Sequence, residues 1–467
     1  MAYNMLPALL RAFVWRPSLL ILGVVFVGSA IESSRAAGWE AGLSKMEITP
    51  REALWMSGYA SRNKPGEGSL TPLWAKCLLL KDGEGNQAVL VTLDLIGVNR
   101  DLGLRMRERI AAKLGLGIES VTIASSHTHT GPVVGSNLAP MYALSESQMA
   151  LIDAYAERLL GGMDPLVERA RESLAEVKVA FAEGKASLGV NRRNNRESEV
   201  PRLREEGKLV GPVDHAVPVL SVRSLEDRLI GLVFGYACHS TTLSSYQWSG
   251  DYPGFAQLAL ELRHPGVVAL FWAGCGADIN PLPRRQEVLA RRYGDQLAEA
   301  VDDVLAGSME PLQGRLSTHY KEVELPFASR SDSTSMAHQT GNRNPYQARR
   351  AKLLLKSIEG QARSVSSYPY PVQLWSLGND LNWVFLGGEV VVDYALRLRG
   401  QYGPGATWVA AYCNDVMAYI PSERVLNEGG YEGLTATVYY GLPAPWASGV
   451  EATIIGAVQS LLRLQNE

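Results

Sequence analysis

Histidine is scarce in this chain, with seven residues in 467. Cysteine is scarcer still. The four cysteines, Cys77, Cys238, Cys275 and Cys413, are scattered, and none forms a CxxC pair. This excludes a disulfide framework and a zinc ribbon. Small buried hydrophobes is the plain reading of all four; the three that fall in the motifs below are secondary metal-ligand candidates. Long Lys/Arg runs and a basic tail are absent, and the net charge is −3. No nucleic-acid surface is expected. There is no internal repeat and no Ser/Gly/Pro linker that cuts the chain. With 46% hydrophobic and 20% charged residues, the composition is that of a globular protein with a large core.

The apolar run from Ser18 to Ile31 is shorter than the roughly 20 residues of a membrane span. Arg11 and Arg16 precede it, and the small residues Ala30, Ala36 and Ala37 lie at or beyond its end. That order reads as a secretory signal over residues 1–37, with an uncleaved anchor or a buried helix as alternatives. The expected location is secreted, periplasmic or cell-envelope, and membrane-anchored if the signal stays. Residues 38–467 then form one domain.

Within that domain, "GLSKMEITP" reads as a strand leading into a Pro/Gly-punctuated loop. "WAKCLLLKDGEGNQAVLVTLDLIGV" reads as two strands around a turn. "RDLGLRMRERIAAKLGLG" has helical spacing and a terminal glycine, and the strand "SVTIAS" follows. Residues 147–177 read as helices, and "VKVAFAEGKASLGVNRR" returns to strand. "AVPVLSVRSLEDRLIGLVFGYACHS" reads as a hairpin, "FAQLALELRH" as a helix and "GVVALFWAGCGADINP" as a strand. Helix covers about 286–306, and 327–346 is expected to be a long polar loop. "NWVFLGGEVVVDYALRLR", "TWVAAYCNDVMAYIP" and a helix over 449–463 complete an α/β part. The predicted class is α/β, a single large domain of mixed sheet flanked by helices.

Two of the seven histidines occur together in "VTIASSHTHTGP". In an extended segment, residues two apart share a side, so His127 and His129 face one pocket at a strand end. Imidazole is the commonest metal ligand among side chains. His239 ends a similar run in "LVFGYACHSTTL". Asp251 in "SGDYPGFA" is read as a helix cap, with a supporting role as the alternative. Glu389 follows two glycines at the expected start of a helix. Two histidines and a carboxylate leave a fourth zinc position for water, the pattern of catalytic zinc sites.

"SSHTHTGP", "YACHSTTL", "GDYPGFA", "GADINP", "GGE" and "NDVMAYIPSERVLNEGGYEG" occur in the order found in neutral ceramidases. The opening "GLSKMEITP…MSGYASR" and "LVTLDLIGV" also resemble that family's N-terminal catalytic domain, over about residues 41–463. The resemblance implies Zn2+ held by His127, His239, Glu389 and Tyr419; without it, Tyr419 would be read as a half-buried aromatic. It implies His129 as the carrier of a proton to the leaving amine. Tyr431 and Arg192, with Arg193 the alternative, are implied to stabilise the oxyanion. The implied reaction is cleavage of the amide bond of ceramide or a related N-acyl lipid, with a lipid-like amide as substrate and a peripheral membrane contact as a further expectation. Gly274 stands where the family has a serine, which opens the question of substrate preference. The family's C-terminal immunoglobulin-like domain is not expected. A zinc hydrolase of the same fold acting on another amide or ester, and a non-catalytic surface-binding homologue, are the competing readings. Joint retention of the six site histidine, glutamate and tyrosine positions argues against the latter.

Overall fold

The computed structural model describes residues 38–329, 333–359 and 366–465. The expected signal at 1–37 lies outside them. The chain is built around a large mixed sheet whose main strands are β1 (Trp39–Glu47), β2 (Trp74–Lys81), β3 (Gln87–Leu93), β4 (Val121–Ser125), β5 (Ala175–Lys185), β6 (Ala216–Ser224), β7 (Leu229–Tyr236) and β8 (Val268–Ala273). Their spatial order is β8-β7-β6-β5-β1-β2-β3-β4. The two outer pairs, β3/β4 and β7/β8, are parallel, and the inner pairs are antiparallel.

Parallel neighbours need a crossover, and helices supply it. Between β3 and β4 runs α1 (Arg100–Leu114), which buries Leu102, Met106 and Ile110 on one face and ends at Gly115 with φ 71°. Helix α2 (Glu146–Glu172) packs beside it as one continuous helix through Pro165, where several helices were expected. Ser145 caps it by accepting from the Gln148 amide. Helix α3 (Asp251–Arg263) links β7 to β8, and α4 (Glu287–Ala306) lies against it. These four helices cover one face of the sheet, where Leu79, Val89, Val91 and Ile123 meet α1 and α2, and Phe234 and Phe271 meet α3 and α4.

The other face is covered by a second sheet, β9 (Leu316–Pro326), β10 (Ser367–Leu377), β11 (Leu381–Leu386) and β12 (Thr407–Ala410). Side chains alternate along each strand, so Leu78, Leu80, Leu90 and Leu270 point away from the helices, toward Trp375, Trp383 and Trp408 of the second sheet. Trp383 lies 5.3 Å from Trp408 and 5.6 Å from Trp272, ring centre to ring centre. Each fully buried aliphatic side chain in this layer contributes about 1.5–3 kcal/mol. Helices α6 (Asp393–Tyr402) and α7 (Val450–Leu464) close the outer face of the second sheet. The result is a helix–sheet–sheet–helix stack, the α/β class with mixed sheet and flanking helices.

The segment 327–346 departs from the expected loop. It includes a helix at Ser333–Gln339 and leads into α5 (Pro345–Glu359). Its polar composition hid a short surface helix that buries only Met336. All four cysteines are buried and unpaired. Among the described residues, no helix is long and apolar enough to cross a membrane.

Candidate metal centre

The site lies where the carboxyl ends of several strands meet, the position at which open α/β sheets hold ligands. His127 and His129 follow β4, and His239 follows β7. Isolated bridges tie these ends together: Thr128 with Ser240, Ala124 with Cys413, and Gly274 with Ala410. The route by which the two neighbouring histidines converge differs from the expected extended one. His127 has φ 57°, in the left-handed region. Even so, its Nε2 lies 3.2 Å from that of His129.

Backbone carbonyls fix two of the three imidazoles. His127 Nδ1 lies 2.6 Å from the Ile96 carbonyl, and His239 Nδ1 lies 2.8 Å from that of Gly276. A carbonyl only accepts, so each Nδ1 carries a hydrogen; in a neutral ring the Nε2 then presents a lone pair. Glu389 Oε2 sits 3.1 Å from His127 Nε2 and 3.0 Å from His239 Nε2. It is buried and has no hydrogen-bond partner. With both rings neutral, three lone pairs face one another in a buried site. That is unfavourable unless a cation lies among them.

Glu389 is not at a helix start, as the sequence suggested. It lies on a two-residue strand (Glu389–Val390) parallel to Tyr419–Ile420, with Glu389 opposite Tyr419. The two glycines before it turn the chain into this ladder. Glu389 Oε1 accepts a short hydrogen bond from the Tyr440 hydroxyl. Tyr419 Oη lies 3.3 Å from His239 Nε2. Burial, reinforced by the Glu389 charge, pushes this phenol well above its ordinary range, so only a bound cation would make it a phenolate. Burial, with the Arg192 charge second, lowers His239 to about 4. It is therefore a neutral imidazole at pH 7.

His129 is held differently. Its Nδ1 is buried without a partner. Burial and the two neighbouring imidazoles lower its pKa well below the ordinary value. Gly58, with φ 95°, lies against its ring: a Cβ there would fall 2.4 Å from Nδ1. The Gly58 amide donates to Tyr142 Oη at 2.7 Å.

Arg192, not Arg193, faces the cluster. Its Nη2 donates to Tyr419 Oη at 3.2 Å, its Nε to Glu432 at 2.8 Å and its Nη1 to Asn280 at 3.2 Å. Arg193 turns away to Glu428, Glu432 and the Gly429 carbonyl. The Tyr431 ring stands 5.2 Å from that of Tyr419 and 5.6 Å from the Arg192 guanidinium. It is 40% exposed, so it forms part of the mouth.

Asp251 serves both readings: it stands in the first turn of α3, where its Oδ1 accepts from the Tyr252 amide at 2.6 Å, and it also supports the site. Its carboxylate accepts from the Thr242 and Leu243 amides, at 3.2 and 2.8 Å, and so braces the loop after His239. A side chain at Gly274 would first meet Ala237, at 3.1 Å, rather than the histidines. The secondary cysteine ligands are outside the cluster. Among the described residues, the cluster of histidine, cysteine and acidic groups with ligand atoms within 4.8 Å of one another is His127, His129 and His239. Sequence reasoning missed Tyr440, Glu432 and Tyr412, which stacks on His127 at 4.2 Å. Glu432 was legible beside Tyr431 in "YEG"; Tyr440 carries no local signal.

Two cavities flank the centre. One, of about 560 Å³, reaches Arg192 and Tyr431. The other, of about 940 Å³, lies among α1, α2 and α5; Leu102, Val133, Ile152 and Leu353 give it a largely apolar surface, charged groups such as Arg105, Asp153 and Lys352 also line it, and Tyr142 is in its wall.

Fold and centre together define an α/β protein with a buried donor cluster suited to a metal ion. The sequence profile described as "neutral/alkaline non-lysosomal ceramidase, N-terminal" matches residues 39–274, half of the chain. The chain belongs to this family. It is 24% identical over 255 residues to the neutral ceramidase of Drosophila melanogaster, a match covering 52% of this chain and 36% of that protein. To neutral ceramidase 1 of Arabidopsis thaliana it is 26% identical over 280 residues, covering 59% and 35%. The chain thus spans little more than a third of the length of the curated relatives it matches. The crystal structure of neutral ceramidase from Pseudomonas aeruginosa superposes with a TM-score of 0.68 at 20% identity, covering 90% of this chain and 73% of that one. It shares the fold. Glu389, Tyr419 and Tyr431 lie beyond the profile match.

Proposed function

We propose that this chain is a zinc-dependent amidohydrolase that cleaves the amide bond of ceramide or a related N-acyl lipid. The observation that carries the metal is the convergence of His127 Nε2, His239 Nε2 and Glu389 Oε2 at 3.0–3.1 Å, with the carboxylate oxygen unpartnered. Two imidazoles, a carboxylate and the Tyr419 phenol suit zinc. When bound, zinc supplies Lewis-acid polarisation and lowers the pKa of water. The names of the relatives support ceramide as the substrate class. The largely apolar cavity behind Tyr142, whose hydroxyl meets the Gly58 amide beside His129, offers room for an acyl chain.

The chain's own residues supply the rest. Hydrolysis breaks the amide C–N bond, adds the oxygen of water to the acyl carbon and delivers a proton to the leaving nitrogen. His129 is the proton carrier in this reading, because its Nδ1 is uncommitted while those of His127 and His239 are tied to carbonyls. It does not touch Glu389, which separates it from the two ligand histidines. Arg192 is held by Glu432 and Asn280 at the edge of the cluster. With Tyr431 it binds the carbonyl oxygen as that atom gains charge. The N-terminal segment directs the chain out of the cytoplasm. Sequencing the mature N-terminus from a cell-envelope fraction tests this: cleavage near residue 37 is expected.

The experiment is incubation of the zinc-loaded protein with fluorescent ceramide and a panel of short N-acyl amines. Release of fatty acid and amine is expected. No turnover of any substrate, amide or ester, with zinc bound would favour a binding protein.

A further inference from the structure

The 560 Å³ cavity is not a lipid surface. Of its twelve lining residues, four are arginines, three glutamates and two asparagines; Leu282 is the single aliphatic one. It adjoins the edge of the centre. Arg192 and Tyr431 line it, and Arg192 is in hydrogen-bond contact with Tyr419, which contacts His239.

The three carboxylates are already engaged. Glu432 accepts from both Arg192 and Arg193, Glu428 from Arg193, and Glu197 from Arg284 at 2.9 Å. Glu197 also faces Arg285 at 3.5 Å. Four guanidiniums against three carboxylates leave one positive charge, and it falls on Arg196. That side chain is exposed and pairs with no carboxylate among the described residues. An aliphatic chain in this cavity would strip water from charged groups without replacing their hydrogen bonds, which is costly. A second cation would meet acceptors whose lone pairs are taken. An anion would find Arg196 and the amide nitrogen of Asn280; the Asn195 amide is committed to the Asn191 and Val210 carbonyls.

Resting on the reading above, we propose that the substrate is an N-acylated amine whose amine portion carries an anionic group, a carboxylate or a phosphate monoester, held in the cavity beside Arg192 and Arg196. The acyl chain occupies the apolar cavity. A neutral sphingoid amide, with a second long chain on the amine side, fits this mouth poorly.

The test compares kcat/KM of the zinc-loaded full chain for four amides: N-lauroylglycine, N-lauroyl-phosphoethanolamine, N-lauroylethanolamine and a C12 ceramide. At least one of the two anionic amides is expected to exceed the neutral ethanolamide by about tenfold, and which one does so identifies the anion. Arg196→Glu is expected to reverse that ratio. Raising the salt from 50 to 500 mM is expected to shrink it, because exposed charges are screened. Equal rates on charged and neutral amides, or preference for ceramide, would overturn the inference and leave the amidohydrolase reading standing. Failure to cleave all four with zinc bound would end both. An anionic preference that Arg196→Glu leaves intact would remove the cavity from the explanation and overturn the proposal.

Discussion

Glu389 and Tyr419 stand directly opposite each other in a two-residue parallel ladder. Their backbones fix the separation of a carboxylate and a phenol that come from segments thirty positions apart. The Glu389 amide donates to the Ala418 carbonyl at 2.8 Å, and the Val391 amide to that of Ile420 at 3.2 Å. The two candidate ligands thus share one small rigid element, as ligand geometry requires.

Metal content is the first consequence. The purified protein is expected to hold about one zinc per chain by elemental analysis. His127→Ala and His239→Ala are each expected to abolish it, because each removes a lone pair from the cluster. Wild-type protein that folds fully and retains no metal under zinc-replete conditions would contradict the assignment.

Tyr440 sets the direction of the Glu389 carboxylate by donating to Oε1, so that Oε2 faces the imidazoles. Loss of such an orienting partner typically costs 10–100-fold in metal affinity. Tyr440→Phe keeps the ring and removes the donor. Competition with a fluorescent chelator is expected to show weaker zinc binding by about that factor, with the fold unchanged by circular dichroism.

Gly58 separates the two roles given to the histidines. A methyl group there would fall 2.4 Å from His129 Nδ1, so Gly58→Ala displaces His129 and leaves His127 and His239 on their carbonyls. Zinc content is expected to persist while kcat falls by about 10²-fold or more, the size of a general acid–base contribution. Loss of zinc together with activity would instead make His129 a ligand.

Arg192 and Arg193 are neighbours with different duties. Only Arg192 reaches Tyr419. Arg192→Ala is expected to lower kcat by about 10²–10³-fold, as for loss of an oxyanion donor. Arg193→Ala is expected to act mainly on stability, since its partners are Glu428, Glu432 and the Gly429 carbonyl. Steady-state kinetics and urea unfolding of both variants distinguish these outcomes.

Asp415 gives the fold a pH dependence outside the metal cluster. Burial raises its pKa to about 7, against a hydrogen bond from Tyr368 Oη at 2.7 Å. The unfolded chain loses this proton near pH 4. The folded state therefore holds more protons between about pH 4 and 7. The stabilisation is complete below about pH 4 and is lost as pH rises through 7, by up to about 1.4 kcal/mol per pH unit. Asp415→Asn cannot ionise. Its stability relative to wild type, by urea unfolding, is expected to rise from pH 5 to pH 7. A pH-independent difference would remove Asp415 as the source.

The sequence carried the elements well where periodicity was strong. The β2/β3 pair, α1, the β6/β7 hairpin and α7 all lie where the patterns put them. Local chemistry misled at three places. The polar composition of 327–346 concealed a helix, because a short surface helix needs little apolar content. His127 and His129 share a pocket through a left-handed residue, which a two-residue spacing does not reveal. Glu389 sits on a strand because its partner Tyr419 is distant in sequence, and pairing of that kind leaves no local trace. For the same reason Tyr440 was invisible: its significance is a single contact across 51 positions.

That long-range assembly has a consequence for biosynthesis. Gly58, His127, His239, Glu389, Tyr419 and Tyr440 arrive in that order during translation. A nascent chain that has passed His239 displays three imidazoles without the carboxylate that completes their charge complement. Contacts between segments so far apart in sequence slow folding. The candidate metal site is thus complete only once Tyr440 has been made, and truncation anywhere before it leaves the cluster without its full set of donors and supports.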